Sequence, residues 1–136
     1  MKKIDCTWIV DDDPIFLYYM RRIMRSLDAF EDVKICENGR EALKDLKKAS
    51  KIDNRSIPNL IFLDLNMPVM DGWQFLDELQ KMEKSKDIII YIVTSSVDPS
   101  DKEKASAYDF VEDYIVKPLK ADNLKNIISK HINHYA

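Results

Sequence analysis

The chain has 136 residues, of which 46% are hydrophobic and 33% charged, and its formal net charge is −3 at pH 7. This length predicts a single domain with an ordinary buried core, and the acidic balance disfavours nucleic-acid binding, which requires a basic face. The only two glycines, Gly39 and Gly72, cannot build a dinucleotide fingerprint or a phosphate-binding P-loop. No apolar run approaches the ~20 residues that span a bilayer. We therefore expect a cytoplasmic protein that contacts neither nucleic acid nor membrane, with Cys6 and Cys36 as buried free thiols.

Five apolar, strand-like segments alternate with five segments whose apolar residues recur at helical spacing. The predicted strands are Ile4–Val10, Val33–Cys36, Leu60–Leu65, Ile88–Val93 and Tyr114–Val116. The pairs Asp13-Pro14 and Asp98-Pro99 predict the starts of the first and fourth helices, because aspartate caps a helix and proline fits its first position. Alternation of buried strands with helices predicts parallel pairing and a doubly wound α/β sheet.

The remaining segments are less regular. The second helix follows the turn Asn38-Gly39, where we expect a positive φ at the glycine, and it runs toward Lys48. Polar residues predict a surface loop over Lys51–Pro58. Apolar positions of the third helix are Phe75, Leu76, Leu79 and Met82, and those of the last are Leu124, Ile127, Ile128 and Ile132. We expect His131 and His134, near the end of the chain, to be solvated rather than to bind a metal.

Polar side chains follow four of the predicted strands, where the functional groups of such sheets collect. At the end of the first strand lie Asp11, Asp12 and Asp13, at the end of the third Asp64, at the end of the fourth Thr94, and at the end of the fifth Lys117. We assign Asp13 mainly to helix capping. Carboxylates held close together repel unless a cation lies among them, and an all-oxygen site suits Mg²⁺. A carboxylate beside Mg²⁺, an ammonium group and a hydroxyl can accept a phosphoryl group.

Four segments in this order resemble the receiver domain of two-component response regulators (CheY-like). The segments are IVDDDP at 9–14, LIFLDLNMPVMDG at 60–72, IVTSS at 92–96 and YIVKPL at 114–119. The resemblance covers essentially the whole chain. It implies a flavodoxin-like (βα)5 sandwich, with a five-stranded parallel sheet of order 2-1-3-4-5 and helices on both faces. It also implies that residues 1–136 form a stand-alone receiver domain, with no output domain and no enzymatic role.

The resemblance implies a role for each residue at the strand ends. Asp64 would be the phosphorylated aspartate, Lys117 would contact the phosphoryl oxygens, and Pro118 would follow a cis peptide bond. Thr94 and Tyr114 would form the switch. The implied ligands of Mg²⁺ are Asp11, Asp12, Asp64 and the backbone carbonyl of Asn66. The implied partners are a sensor histidine kinase or histidine phosphotransfer protein and an unknown downstream protein, with the chain a monomer or a phosphorylation-dependent dimer.

Two other functions stay open on the residues alone. One is a binding module of the same fold that never uses a phosphate. The other is an aspartyl-phosphate phosphatase, which would need a second aspartate where this chain has Asn66.

The chain also departs from the family pattern at 108–113, which lacks the Gly-Ala that receivers commonly carry, and at Leu119, where Phe is frequent. The first departure affects the face that would signal, not the acceptor chemistry.

Overall fold

The computed structural model describes residues 2–52 and 56–132, in which five strands alternate with five α-helices. The strands are β1 (Ile4–Val10), β2 (Phe30–Cys36), β3 (Leu60–Leu63), β4 (Ile89–Thr94) and β5 (Val111–Val116). The helices are α1 (Pro14–Leu27), α2 (Gly39–Ile52), α3 (Gly72–Gln80), α4 (Pro99–Ala105) and α5 (Ala121–Ile132), with a 3₁₀ helix over Glu83–Asp87. Every strand pair is parallel and the order is β2-β1-β3-β4-β5. The predicted fold class and strand order are confirmed.

Alternate residues of each central strand point to opposite faces of the sheet and meet different helices. Along β1, Val10 belongs to a buried cluster with Leu46 of α2 and Leu76 of α3. Its neighbour Ile9 belongs to a second cluster with Met20 of α1 and Leu124 of α5. Both faces of the central strands are therefore covered, which is why β3 and all but the last residue of β4 are apolar in sequence.

The predicted caps begin two helices as expected. Asp13 accepts a hydrogen bond from the Ile15 amide at 3.0 Å, with Pro14 in the first turn of α1. Asp98 accepts from the Ser100 amide at 2.9 Å at the start of α4. Among the described residues, no helix is both long enough and apolar enough to span a membrane.

Several predicted boundaries were wrong, mainly at the edges of the sheet. β2 begins at Phe30 rather than Val33, and β5 at Val111 rather than Tyr114. An edge strand pairs on one side only, so β2 and β5 carry exposed charged residues that hide the apolar pattern. β3 is shorter than predicted and ends at Leu63, and α2 continues to Ile52. This helix takes up the start of the loop predicted over 51–58, of which 53–55 lie outside the described residues.

The expected positive φ at Gly39 was also wrong, since no described glycine has one. The amide of Gly39 donates to the Met70 carbonyl at 3.0 Å, and a Cβ would lie 2.9 Å from that oxygen. Close approach of two backbones, rather than backbone conformation, accounts for this glycine. The described residues with a positive φ are Asp28, at 47°, and Val69, at 69°.

His131 is buried rather than solvated, with 5% of its surface exposed. Its Nε2 forms a hydrogen bond with the Tyr91 hydroxyl, and the two rings meet edge to face at 5.5 Å. The last turn of α5 packs against β4, and this contact between residues 40 positions apart has no local signal in the sequence. His134 lies outside the described residues.

Candidate functional site

Two neighbouring strands bring the central acidic residues together. β1 pairs with β3 in the register Val10↔Leu63, so the next residues, Asp11 and Asp64, leave the sheet side by side. The ladder continues one step further, because the Asp64 amide donates to the Val10 carbonyl at 3.0 Å. The carboxyl edge of the sheet therefore holds both side chains on regular backbone.

Asp11, Asp12 and Asp64 form an acidic cluster in which one carboxylate oxygen from each lies within 4.8 Å of the others. Asp11 is fully buried, Asp64 is 6% exposed and Asp12 is exposed. Asp13 lies outside this cluster, as expected for a capping residue. Asn66 is exposed, and its backbone amide donates to Asp64 Oδ1 at 3.3 Å.

Lys117 supplies the positive charge beside the acidic cluster. Its Nζ lies 3.0 Å from Asp11 Oδ2 and 3.3 Å from Asp64 Oδ2, and its side chain is 12% exposed. The backbone that carries it is held at both ends. The Lys117 amide donates to the Thr94 carbonyl at 2.7 Å, and the peptide bond to Pro118 is cis, as expected.

One ammonium group does not balance three carboxylates, and the pKa values of the site reflect this. Burial, with a smaller contribution from the charge of Asp64, raises the pKa of Asp11 to about 6, although hydrogen bonds from Asp13 and Lys117 act in the opposite direction. Burial lowers the pKa of Lys117, but its contacts with Asp11 and Asp64 outweigh that effect, and the pKa is raised. The site therefore favours additional positive charge.

The acidic cluster fits a hard divalent cation. Its donors are carboxylate oxygens from two adjacent strand ends, the ligand type that Mg²⁺ prefers. In addition, Asp11 Oδ2 is fully buried, and within the described part of the chain it has the Lys117 ammonium group, at 3.0 Å, as its polar neighbour. A buried carboxylate oxygen that shares one ammonium group with other carboxylates can also coordinate a metal ion.

Thr94 and Tyr114 lie beside this site on β4 and β5. Thr94 ends β4, is fully buried, and accepts a hydrogen bond at Oγ1 from the Ser96 amide at 3.4 Å. Tyr114 is half-buried, and its hydroxyl donates to the Ser96 carbonyl at 3.0 Å. The two predicted switch residues therefore contact the same residue of the β4–α4 loop.

The structure adds two neighbours that the sequence did not indicate. The ring of Phe16, on α1, lies against the Lys117 ammonium, with 4.4 Å between Nζ and the ring centroid. Gly72 approaches the backbone of Asp64 so closely that a Cβ would lie 2.5 Å from its carbonyl oxygen. The apolar pattern of α1 marked Phe16 only as a core residue, and glycine in the MDG turn pointed to the start of α3 rather than to this contact.

A family model described as "Response regulator receiver domain" matches residues 7–129. Among curated proteins, chemotaxis protein CheY of Bacillus subtilis is 29% identical over 125 residues, which are 92% of this chain and 96% of that protein. Other curated relatives are longer, and the chain spans from 77% to as little as 11% of their lengths.

Solved structures agree with the family match. A two component response regulator from Cytophaga hutchinsonii is 31% identical and superposes with a TM-score of 0.86, covering 97% of this chain and 99% of that one. The receiver domain of sensor histidine kinase PA1611 from Pseudomonas aeruginosa PAO1, solved with a magnesium ion coordinated in its active site cleft, superposes with a TM-score of 0.77. At 22% identity, with 95% of this chain and 98% of that one covered, it shows a likeness of fold.

Proposed function

This chain belongs to the response regulator receiver domain family and is a phosphoacceptor of two-component signalling; we propose that Asp64 is the residue that accepts the phosphoryl group. Of the three clustered carboxylates, that of Asp11 is fully buried, while that of Asp12 forms no ion pair with Lys117 among the described residues. Asp64 alone among them combines an ammonium contact, at 3.3 Å, with a side chain that keeps 8% of its surface exposed. That combination is the observation that carries the proposal.

The reaction is a transfer of a phosphoryl group from a partner's phosphohistidine. A carboxylate oxygen of Asp64 attacks phosphorus, the bond between phosphorus and the imidazole nitrogen breaks, and its electron pair stays on that nitrogen. No separate base is required, because an ionised carboxylate is already a nucleophile. Lys117 and the Thr94 hydroxyl stabilise the charge that spreads over the phosphoryl oxygens.

Mg²⁺ is the cofactor we infer for this step. Asp11, Asp12 and Asp64, with the backbone carbonyl of Asn66, would hold the ion. When bound, it neutralises negative charge on the carboxylates and on the phosphoryl oxygens. The support comes from the donor chemistry of the acidic cluster and from the magnesium-bound PA1611 receiver domain of the same fold.

The signal would leave through Thr94 and Tyr114. An acyl phosphate on Asp64 would draw the Thr94 hydroxyl toward it and away from the Ser96 amide. Because Tyr114 donates to the Ser96 carbonyl, movement of this loop would release the tyrosine hydroxyl and let the ring turn inward. Phosphorylation would thus shift the populations of two conformations of the β4–α4–β5 face.

The partners follow from this role. Histidine kinases phosphorylate receiver domains, and a sensor histidine kinase or a histidine phosphotransfer protein is the donor we infer for this chain. An unidentified protein would read the switch. Three further expectations stay predictions: the monomeric or phosphorylation-dependent dimeric state, the single-domain organisation of residues 1–136, and the cytoplasmic location. So does the absence of enzymatic turnover, which Asn66 supports because a phosphatase of this kind needs an aspartate there.

Intact-mass measurement after incubation with acetyl phosphate and Mg²⁺ tests the proposal. The wild-type chain should gain the mass of one phosphoryl group, and Asp64→Asn should gain none. Asp71→Asn is the matched control, because it changes a partly exposed aspartate that caps α3 and should leave the gain intact. A gain that survives Asp64→Asn, or no gain in the wild-type chain, would contradict the assignment.

A further inference from the structure

The Lys117 ammonium group is surrounded by groups of two kinds. Carboxylate oxygens of Asp11, Asp64 and Asp13 lie at 3.0, 3.3 and 3.9 Å from Nζ. The second kind of neighbour is the Phe16 ring, whose centroid is 4.4 Å from Nζ. The ammonium group is therefore attracted toward several acids at once, and the ring gives it an apolar surface to lie on.

The start of α1 places Phe16 in this position. Pro14 opens the helix, so Phe16 lies in its first turn, and helical side chains lean back toward the N-terminal end. The ring consequently reaches toward the end of β1, where the acidic cluster is. Phe16 is 7% exposed and also begins the buried stripe that continues through Met20 and Met24.

An aromatic face does more here than fill space. The face of a phenyl ring carries negative charge density that attracts a cation, and the attraction grows when the cation is partly removed from water. The Lys117 side chain is 12% exposed, which satisfies that condition. Lysine ends in a point charge on a flexible four-carbon stem, so a surface that attracts the ammonium group restricts the positions it can take. An aliphatic side chain at position 16 would supply packing without the attraction.

We propose that Phe16 is a positioning residue for phosphoryl transfer, which holds the Lys117 ammonium beside Asp64 through the face of its ring. This inference rests on the proposed function, since Lys117 is the group that would contact the phosphoryl oxygens. A lysine that is already in place when the donor arrives contributes to the transition state without further ordering. In this role Phe16 acts through Lys117 and not on the reacting atoms themselves.

A fluorination series at position 16 tests the proposal while keeping the shape of the ring. Phenylalanines with one, two and three ring fluorines progressively weaken the negative face. The rate of phosphorylation by acetyl phosphate, followed by intact mass at saturating Mg²⁺, should fall stepwise. With three fluorines we expect a loss of about three- to thirtyfold, equivalent to ~0.7–2 kcal/mol at about 1.4 kcal/mol per tenfold.

Phe62 provides the matched control, because it is buried in the same apolar cluster and stacks on Tyr91, whereas the cation–π contact of Lys117 is with Phe16. Fluorination there should leave the rate unchanged. A second readout is the free energy of unfolding in urea: fluorination of Phe16 should lower it in the wild-type background and have no effect in Lys117→Met.

The outcomes separate the two proposals. A wild-type chain that gains no phosphoryl mass would refute the assignment of Asp64. A wild-type chain that is phosphorylated, with a rate that does not depend on the number of fluorines at position 16, would refute only the role of Phe16. An effect on unfolding of equal size in the Lys117→Met background would also refute it, since the ring would then act through packing alone.

Discussion

Replacing Gly72 with alanine would drive a methyl group into the backbone of the proposed acceptor. A Cβ at this position would lie 2.5 Å from the Asp64 carbonyl oxygen and 2.8 Å from Leu65 Cα. Ordinary van der Waals contact begins at 3.4 Å, so the start of α3 and the end of β3 must separate by the difference, about 0.9 Å. The atoms that collide belong to the backbone and cannot rotate away.

This displacement should affect both stability and reaction rate. Overpacking of this kind costs about 1–3 kcal/mol, and we expect the upper half of that range because the Gly72 amide also donates to the Leu65 carbonyl at 2.9 Å. Misplacement of a reacting group by roughly 1 Å can cost about 100-fold in rate. Gly72→Ala should therefore be phosphorylated by acetyl phosphate on the order of 10- to 100-fold more slowly than the wild-type chain.

Urea unfolding and the acetyl phosphate rate measure the two effects separately. Gly39→Ala is the control, because its Cβ would meet the Met70 carbonyl at 2.9 Å, away from the backbone of Asp64. It should lose about 1 kcal/mol of stability and keep most of its rate. If Gly72→Ala unfolds within about 0.5 kcal/mol of the wild-type chain and reacts at the same rate, the steric reasoning is refuted.

Three further predictions concern the loop, the acidic cluster and the α4 end. Val69 is an exposed, β-branched residue at φ 69°, a backbone conformation that strains such a residue. Val69→Gly should therefore raise the free energy of unfolding in urea by about 1 kcal/mol, and a lower free energy of unfolding would contradict this reasoning. Because burial raises the pKa of Asp11 to about 6, the folded chain binds the proton of the Asp11 carboxyl group more tightly than the unfolded chain does. The free energy of unfolding, measured in EDTA, should therefore fall as the pH rises from 3.8 to about 6. In urea titrations the free energy of unfolding should fall by about 3 kcal/mol over this pH range in the wild-type chain, and Asp11→Asn should lose this pH dependence. An unchanged pH dependence in Asp11→Asn would contradict the prediction. The Tyr108 hydroxyl donates to Asp77, so Tyr108→Phe should cost about 1 kcal/mol in urea, whereas the exposed Tyr18→Phe should cost less than half of that.

The acidic residues of the site could be predicted because the topology of the sheet decides where they go. In a parallel α/β sheet the carboxyl ends of the strands share one edge, so the sequence alone predicts that a residue at the end of a strand lies at this edge. Asp11, Asp64, Thr94 and Lys117 each lie at the end of a strand or directly after it, and the structure places all four at that edge. The greater exposure of Asp64, 6% against 0% for Asp11, could not be obtained in this way, because it depends on how distant segments pack over each side chain.

The features that the sequence did not indicate depend on contacts between distant segments. The apolar spacing of α1 shows that Phe16 faces inward, but not that its ring meets Lys117. Burial of His131 requires Tyr91, which is 40 residues away. The role of Gly72 depends on the approach of two backbones, whereas sequence reasoning about glycine rests on backbone conformation. Periodicity reports which face of an element is buried and carries no information on which group it will touch.

The register of β1 against β3 has a consequence for the folding reaction. It joins Asp11 to Asp64, whose positions differ by 53, and these residues become neighbours only when a crossover connection has closed. Contacts of such large sequence separation form slowly and cannot exist in a fragment that holds one strand and one helix. A cation bound by the acidic cluster therefore recognises a chain whose central strands are already paired. Such an ion should slow unfolding, with little effect on the rate at which the chain folds.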